Sequence, residues 1–107
     1  MPKLGSVQIQ MLREALEEQL RWRTSQLAGL KASVAGTSAG DQTWQDAMSS
    51  IAAADQAIAE TTSSLDRLAA GSYGRCDACA AGIPFERLKV RPLARYCMDC
   101  QRRRESA

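Results

Sequence analysis

Four cysteines are the residues of this sequence whose type and spacing best suit them to chemistry. They are all the cysteines in the chain, and they form two Cys-x-x-Cys pairs, Cys76/Cys79 and Cys97/Cys100, with seventeen residues between the pairs. This spacing is typical of a four-thiolate zinc site, in which each pair forms a tight turn that presents two sulfurs. Four thiolates complete the tetrahedron that zinc prefers and leave no open position for a substrate. The sequence therefore predicts one structural zinc ion bound by all four cysteines.

Three other uses of the four cysteines compete with zinc binding. Two disulfides would need an oxidising compartment, and the N-terminal residues show no export signal, so we expect a reducing, cytoplasmic setting. A redox Cys-x-x-Cys motif would need a βαβ pattern around it, which the sequence lacks. Iron bound by four thiolates would have the same geometry. The sequence leaves iron open as the alternative metal.

Basic residues are concentrated around the cysteines. The whole chain has a formal net charge of +2, whereas the segment from Arg75 onward has eight Lys/Arg and four Asp/Glu, a balance of +4. Nearby cations favour the deprotonated thiols that a metal needs. We define the basic head as Arg87, Lys89, Arg91, Arg95, Arg102, Arg103 and Arg104. The final three arginines have two interpretations that the sequence does not separate: they complement a helix dipole, or they contact phosphate or an acidic protein surface.

The residues before the cysteines carry two amphipathic patterns of helical spacing. The first helix is predicted from Val7 to about Ala35 with Ser6 as N-cap, and the second from Asp41, its N-cap, to about Ala70, where Gly71 ends it. A short glycine-containing loop over 36–40 makes the two helices antiparallel neighbours. The predicted fold is mainly α, with an antiparallel coiled-coil hairpin over residues 1–71 whose tip lies at about 36–47. A four-cysteine zinc finger with a short terminal helix follows over residues 72–107.

The apolar stripes of the two helices predict how they pair. If the chain folds back about Ala39, the pairs are Val34 with Trp44, Leu30 with Met48, Leu27 with Ile51, Leu20 with Ile58, and Leu16 with Thr62. Arg23 and Asp55 also fall opposite each other, and we expect them to form an ion pair in the seam that fixes register. The alternative is that both side chains point outward. Trp44 is either a seam residue that closes the last layer or an anchor for a partner.

The segment around and after the cysteines is predicted to be short and irregular. Ile83 to Val90 suits one helical turn or a small strand pair, which Pro92 ends. Met98 to Glu105 is predicted to form the terminal helix. No apolar run approaches the length needed to span a membrane.

The sequence offers no candidate for catalysis. It has no histidine, and it contains no Ser/His or Cys/His pair, no phosphate-binding glycine loop and no open-site metal motif. Its cysteines are used by a closed site. These features favour a binding protein over an enzyme.

At its C-terminal third the chain resembles the zinc finger of the DksA/TraR family. The resemblance rests on the lead-in Gly71-Ser72-Tyr73-Gly74-Arg75-Cys76, on the run Arg87-Leu88-Lys89-Val90-Arg91-Pro92-Leu93-Ala94, and on the exit Cys97-Met98-Asp99-Cys100-Gln101. The hairpin before it matches the architecture of that family. The resemblance implies a regulator that binds bacterial RNA polymerase without touching DNA, and we expect the protein itself to be a monomer. It also implies that the hairpin tip inserts into the secondary channel and modulates initiation, in many members together with guanosine tetraphosphate.

The chain departs from that family pattern at two places. The family has glycine directly after the second cysteine, where this chain has Ala80, and Gly82 is expected to supply the turn instead. The family's tip motif, Asp-x-x-Asp-x-Ala, is best matched by a window with glutamine at both aspartate positions, so the effect on transcription is expected to differ. The predicted partner-binding tip comprises Asp41, Gln42, Trp44, Gln45, Asp46 and Ala47.

Two other functions compete with polymerase binding. The basic head favours direct nucleic-acid binding, although its arginines are not interleaved with aromatic residues for base stacking. A dimerisation or scaffold element is the third class, with Trp22 and Trp44 as contacts between chains.

Overall fold

The computed structural model describes residues 4–36, 38 and 40–106 of the chain. In this part the chain forms four helices: α1 Ser6–Val34, α2 Gln42–Ala70, α3 Phe85–Val90 and α4 Met98–Ser106. The helical hairpin with a C-terminal cysteine cluster confirms the predicted fold class. Ala39, about which the hairpin was expected to fold, lies outside the described residues. No described helix is long and apolar enough to cross a membrane.

The ends of the hairpin helices follow local capping chemistry. Asp41 caps α2 as predicted, because its carboxylate accepts a hydrogen bond from the Thr43 N–H at 3.2 Å. Gly71 ends α2 in the left-handed conformation, with φ +81°, which glycine adopts without steric cost. At α1 the prediction was wrong by one residue. Gly5 is the N-cap and Ser6 the first helical residue, and the Gly5 N–H donates to Gln8 Oε1 at 3.0 Å.

The face that α2 turns toward α1 has the alternating three- and four-residue spacing of a coiled-coil seam. Its positions are buried or half-buried and are Ile51, Ala54, Ile58, Thr61, Leu65 and Leu68. Met48, predicted to lie in the seam, is instead 39% exposed. The seam of α2 therefore includes small and polar side chains as well as apolar ones.

The predicted pairing of Leu16 with Thr62 is wrong because Thr62 is exposed. Leu16 is fully buried, but the buried positions near this level of α2 are Thr61 and Ser64, each 1% exposed. Both hydroxyls have partners within their own helix. Thr61 Oγ1 donates to the Ala57 carbonyl at 2.7 Å, and Ser64 Oγ accepts from Arg67 at 3.0 Å. A hydroxyl that is satisfied locally can be buried at little cost.

The predicted ion pair between Arg23 and Asp55 does not form. Arg23 donates to Gln26 Oε1 at 3.0 Å, and its guanidinium lies 4.8 Å from the centre of the Trp22 ring. Asp55 is exposed, and among the described residues no salt bridge joins it to Arg23. The physical reason is that Ala54, at 1% exposure, occupies the seam position and turns the neighbouring aspartate outward.

The hydrophobic core lies where the base of the hairpin meets the zinc finger. Its buried members come from α1, α2, α3, α4 and the cysteine turns, and are Leu12, Leu16, Leu68, Tyr73, Cys76, Ile83, Leu88 and Cys100. The hairpin alone has a narrow seam, so this shared core supports one of its ends. The opposite end, the tip, has no comparable cluster among the described residues. Hairpin and finger are therefore one folding unit at the base.

Candidate functional site

Two turns bring the four sulfurs together, and each turn is built differently. In the first, the Ala80 N–H donates to the Cys76 carbonyl at 2.9 Å, and the Cys76 N–H donates to the Ala81 carbonyl at 2.8 Å. A single antiparallel bridge between Arg75 and Gly82 closes this turn at its base. In the second, Cys97 stands directly before α4, and its carbonyl accepts from the Gln101 N–H at 2.9 Å. The first turn of α4 then places Cys100 beside Cys97.

Ala80 adopts the backbone conformation that the family glycine would adopt. Its φ is +64°, and among the described residues it is the only non-glycine with positive φ. The expectation that Gly82 supplies this turn is wrong, because Gly82 has no positive φ and forms the bridge to Arg75. An L-residue in the left-handed region costs about 1–2 kcal/mol. The first cysteine turn therefore carries local strain at Ala80.

The geometry of the sulfurs fits one zinc ion. The four Sγ atoms all lie within 4.8 Å of one another, and Cys79 Sγ and Cys97 Sγ are 3.8 Å apart. With Zn–S bonds of about 2.3 Å, the sulfurs of a regular tetrahedron would be about 3.8 Å apart. Cys76 and Cys100 are buried, whereas Cys79 is exposed. The predicted four-cysteine metal site is confirmed, and its donor set suits a closed structural site.

Hydrogen bonding shifts the pKa values of two thiols of the cluster in opposite directions. Burial raises the pKa of the Cys76 thiol, but the backbone N–H groups of Cys97, Cys79 and Ala78 outweigh it and lower this pKa to about 6. Hydrogen bonds with the Cys97 and Cys76 sulfurs, together with burial, raise the pKa of Cys100 to about 12. A divalent cation favours the thiolate at every ligand. Metal binding by this cluster is therefore coupled to proton release.

Tyr73 connects the segment that precedes Cys76 to the segment that precedes Cys97. Its hydroxyl donates to the Pro92 carbonyl at 2.7 Å, and the residue is 8% exposed. Burial raises the pKa of Tyr73 to about 12, against a smaller opposing effect of the Arg67 charge. The sequence showed this tyrosine only as part of the family lead-in. Its partner, a carbonyl nineteen residues away, has no sequence signal.

Asp77 connects α2 to both halves of the finger, a role that the sequence reasoning missed. Its carboxylate pairs with Arg67 of α2 at 3.8 Å and with Arg95 at 3.5 Å. Its N–H donates to the Arg95 carbonyl at 2.8 Å. Arg67 in turn accepts, through its carbonyl, the N–H groups of Ser72 and Tyr73 at 2.9 and 3.2 Å. These contacts fix the finger against the end of the hairpin.

The basic head divides into side chains with internal partners and side chains that are free. Arg87 donates to the Tyr96 carbonyl at 3.3 Å and contacts Met98 Sδ, and Arg95 pairs with Asp77. Arg102 pairs with Asp99, and Arg104 stacks on Tyr96 with 4.3 Å between the guanidinium carbon and the ring centre.

The other three cations, Lys89, Arg91 and Arg103, are exposed and have no side-chain partner among the described residues. Four of the seven cations of the head therefore have partners within the finger, and its charge is only partly free for an external partner.

The tip lies at the far end of the hairpin from the cysteines. With 29 residues, α2 extends over about 43 Å between them. Asp41 is engaged as the N-cap, and Gln42 Nε2 donates to Asp46 Oδ1 at 2.8 Å. The Gln45 side chain is exposed. The two aspartates have separate local partners and do not form one acidic site.

Comparison with known proteins adds to this geometry. Residues 71–106 match the family model described as the prokaryotic dksA/traR C4-type zinc finger. The C-terminal segment is therefore similar to the DksA/TraR zinc finger. The predicted resemblance is confirmed, and the match to a C4-type zinc finger together with the clustered cysteines supports the predicted structural zinc. The lead-in and exit motifs quoted from the sequence both lie within the matched segment.

The fold of the whole chain has a counterpart among solved structures. The chain is similar to the transcription factor DksA2 from Pseudomonas aeruginosa, with a TM-score of 0.87 over 96% of this chain and 87% of that chain. The sequences are 21% identical, so the similarity concerns the fold alone. No curated protein matches the chain. The hairpin thus shares an architecture with DksA2, while the zinc finger carries the sequence signature of the family.

Proposed function

We propose that this chain is a regulator of bacterial transcription that binds RNA polymerase and inserts its hairpin tip into the secondary channel. The observation that supports it best is the joining of a DksA/TraR zinc finger to a hairpin with the fold of a transcription factor. The finger and the hairpin base share one core, so the tip projects from a supported base. This arrangement suits a probe that reaches into a narrow passage. The protein acts as a monomer in the cytoplasm, where its partner is found.

The tip of this chain has a different charge arrangement from the family motif. Gln42 and Gln45 stand at the two aspartate positions, and glutamine keeps hydrogen bonding but lacks charge. Asp46 keeps one charge close by, held by Gln42 at 2.8 Å. A neutral side chain does not coordinate a catalytic Mg²⁺ as a carboxylate does. The chain therefore occupies the channel with a different effect on initiation.

Guanosine tetraphosphate, where it takes part, would bind the head. A cavity of about 410 Å³ lies beside the second cysteine turn, and its lining includes Arg87, Arg91, Arg95 and Tyr96. Arg91 is exposed there. Guanidinium groups suit phosphates, and an aromatic ring suits a base. Replacing Arg91 by alanine would weaken nucleotide binding to the complex with polymerase and leave binding of the protein itself unchanged.

The proposal is tested by binding of the purified full-length protein to core RNA polymerase, with and without a competitor that occupies the secondary channel. Binding that the competitor abolishes supports the proposal, and absence of binding overturns it. In a second step, Gln42→Asp/Gln45→Asp protein is compared with wild type in transcription initiation. Gln56→Asp, on the same helix away from the tip, is the matched control. We expect the tip variant alone to change initiation, with similar occupancy of the channel.

A further inference from the structure

Three large apolar side chains of α1 are left exposed by the hairpin. Val7, Met11 and Trp22 are 72%, 46% and 58% exposed, whereas each of the other three helices exposes one such side chain among the described residues. Met11 and Trp22 lie in a row with the alternating four- and three-residue spacing of a coiled-coil seam. We define this outer row as Met11, Ala15, Glu18 and Trp22. Neither buried residue of α1 belongs to it, so α1 carries a second row of seam spacing outside its contact with α2.

A line of four exposed residues runs beside the outer row. Positions seven apart lie nearly in line on a helix, and the members of this flanking line are Val7, Glu14, Arg21 and Ala28. In a coiled coil, positions beside the seam pair across the interface. Glu14 accepts a hydrogen bond from the neutral Gln10 at 3.0 Å, and among the described residues neither Glu14 nor Arg21 takes part in a salt bridge. Both charges are therefore available to an external partner.

The outer row complements itself when two copies of α1 lie antiparallel. With the two-fold axis halfway along the row, Met11 of one copy lies opposite Trp22 of the other, and Ala15 lies opposite Glu18. The Arg23 guanidinium covers one face of the Trp22 ring at 4.8 Å, which leaves the other face for the thioether of Met11. A thioether on an aromatic ring is a favourable contact. Each contact occurs twice, because the pair is symmetric.

The same register makes the flanking line complementary. It places Glu14 of one copy opposite Arg21 of the other, and Val7 opposite Ala28. Unlike charges then face each other, and an apolar side chain meets an apolar one. In a parallel pair each residue of the outer row would meet its own counterpart, so two Glu18 carboxylates would face each other and repel. The charge pattern therefore specifies the antiparallel arrangement.

The mixed signs of charge favour a second copy over partners of a single charge. The outer row and its flanking line contain Glu14 and Glu18 as well as Arg21, and α2 adds Asp55 and Glu60 in the middle of the hairpin. These carboxylates repel the phosphates of a nucleic acid and the side chains of a strongly acidic protein surface. A surface with the same alternation of signs, met in the opposite direction, complements them. The second copy supplies that surface.

We propose that free copies of this chain form an antiparallel dimer through the outer row and its flanking line, with Trp22 of each copy covered by Met11 of the other. Tryptophan is among the side chains most enriched at interface hot spots. A single contact between two helices lies at the low end of interface sizes, so the dimer is weak and reversible. This inference does not depend on the proposed function, in which the dissociated monomer acts.

Sedimentation equilibrium of the zinc-loaded full-length protein measures this association. Because the interface is small, the range from about 10 µM to about 1 mM is needed, and wild type is expected to change from monomer to dimer within it. Trp22→Ala is expected to weaken the dimer at least about tenfold and to leave the circular dichroism spectrum of the monomer unchanged, because the ring is exposed. Trp44→Ala is the matched control. Trp44 is half-buried at the tip and outside the outer row, so its removal is expected to change the dissociation constant less than about threefold.

Charge reversal tests the register itself. Glu14→Arg sets two arginines against each other, and Arg21→Glu sets two glutamates against each other, so each variant alone is expected to dimerise about tenfold more weakly. An equimolar mixture of the two variants restores unlike pairs and is expected to form a heterodimer. The double variant Glu14→Arg/Arg21→Glu is expected to dimerise like wild type. Glu17→Arg is the control for the change of charge, because Glu17 lies about 140° around the helix from Trp22 and outside the proposed interface.

Several outcomes would overturn the proposal. Wild type that stays monomeric throughout the concentration range would do so directly. A dimer that Trp22→Ala leaves intact, or that Trp44→Ala abolishes instead, would place the contact elsewhere. A mixture of Glu14→Arg and Arg21→Glu that stays monomeric while wild type dimerises would rule out the antiparallel register. None of these results bears on binding to RNA polymerase, and absence of polymerase binding would overturn the proposed function alone.

Discussion

Replacing Ala80 by glycine is expected to stabilise the zinc finger, although glycine usually destabilises folded proteins. Ala80 follows the second zinc ligand directly and has φ +64°. Its side chain is exposed, so replacing it removes no core packing. The backbone hydrogen bond from its N–H to the Cys76 carbonyl, at 2.9 Å, is available to glycine as well. The substitution therefore changes only the conformational preference of one residue in the first cysteine turn.

The magnitude follows from two opposing effects. Relief of the left-handed strain contributes about 1–2 kcal/mol in favour of glycine. The greater freedom of glycine in the unfolded chain opposes it by about 0.5–1 kcal/mol. The two ranges leave a net gain between about 0 and 1.5 kcal/mol, with a central value of about 0.75 kcal/mol. Because folding of a zinc finger is coupled to metal binding, the central value corresponds to about three- to fourfold tighter apparent zinc affinity.

Competition with a chromophoric chelator measures that affinity, and Ala78→Gly is the matched control. Ala78 lies within the same turn and is also exposed, but its φ is not positive. At Ala78 glycine relieves no strain and only increases the conformational entropy of the unfolded chain, so we expect Ala78→Gly to bind zinc more weakly than wild type. The reasoning is refuted if Ala80→Gly weakens zinc affinity to the same extent as Ala78→Gly. That result would mean that the turn is relaxed with alanine.

Three further predictions concern the tip, the junction and the metal. Asp41→Ala removes the cap of α2 and is expected to cost about 1 kcal/mol, seen as faster amide exchange over residues 43–47 with unchanged exchange at the other end of α2. Tyr73→Phe removes the hydrogen bond to the Pro92 carbonyl and is expected to lower stability at neutral pH by about 1–2 kcal/mol in urea unfolding. Wild type should also lose stability between pH 10 and 12, since the unfolded tyrosine ionises near pH 10 and the folded one near 12, and Tyr73→Phe should lack this component. Chelation of zinc, or Cys79→Ser, is expected to unfold the finger and reduce helicity in circular dichroism, because the junction core includes Cys76 and Cys100.

Each of these predictions has an outcome that contradicts it. Uniformly faster exchange throughout α2 would show that Asp41 does more than cap the helix. Equal loss of stability in wild type and Tyr73→Phe between pH 10 and 12 would assign the pH dependence to other groups. If chelation further reduces the helicity of Cys79→Ser, three cysteines still hold the metal and the site does not require all four.

Much of this molecule follows from local sequence rules. The zinc ligands were identified by spacing alone, because two Cys-x-x-Cys turns have few other uses in a chain without histidine. The start of α2 at Asp41 and its end at Gly71 follow from capping and from the conformational freedom of glycine, both properties of a few adjacent residues. The zinc-finger family also followed from short motifs. Such features depend on neighbours in sequence, so no tertiary information is needed to find them.

Tertiary packing determines which residues of α2 line the seam and which partners the arginines of the basic head contact. An apolar stripe on α2 predicted Met48 and Thr62 in the seam, but the helix buries Thr61 and Ser64, whose hydroxyls are satisfied within the helix and so do not need water. A sustained three- and four-residue spacing from Ile51 to Leu68 was the signal that could have found them. The predicted Arg23–Asp55 ion pair does not form for the same reason. A shift of one residue along a helix rotates the side chain about the helix axis by about 100°.

The conformation of Ala80 and the partners of the basic head also required the fold. The sequence has Ala80 after Cys79, where the family has glycine. The path of the chain from Cys76 to the bridge at Gly82 is what requires a left-handed conformation at Ala80. The arginines of the head looked free as a charge run, yet Asp77, Asp99, Tyr96 and backbone carbonyls engage four of them. Those partners are brought near by the closing of two cysteine turns around one centre. The sequence by itself thus determined the metal ligands and the helix caps, which depend on neighbouring residues. The tertiary structure decided the contacts between distant segments, because these depend on how the hairpin and the finger share a single core.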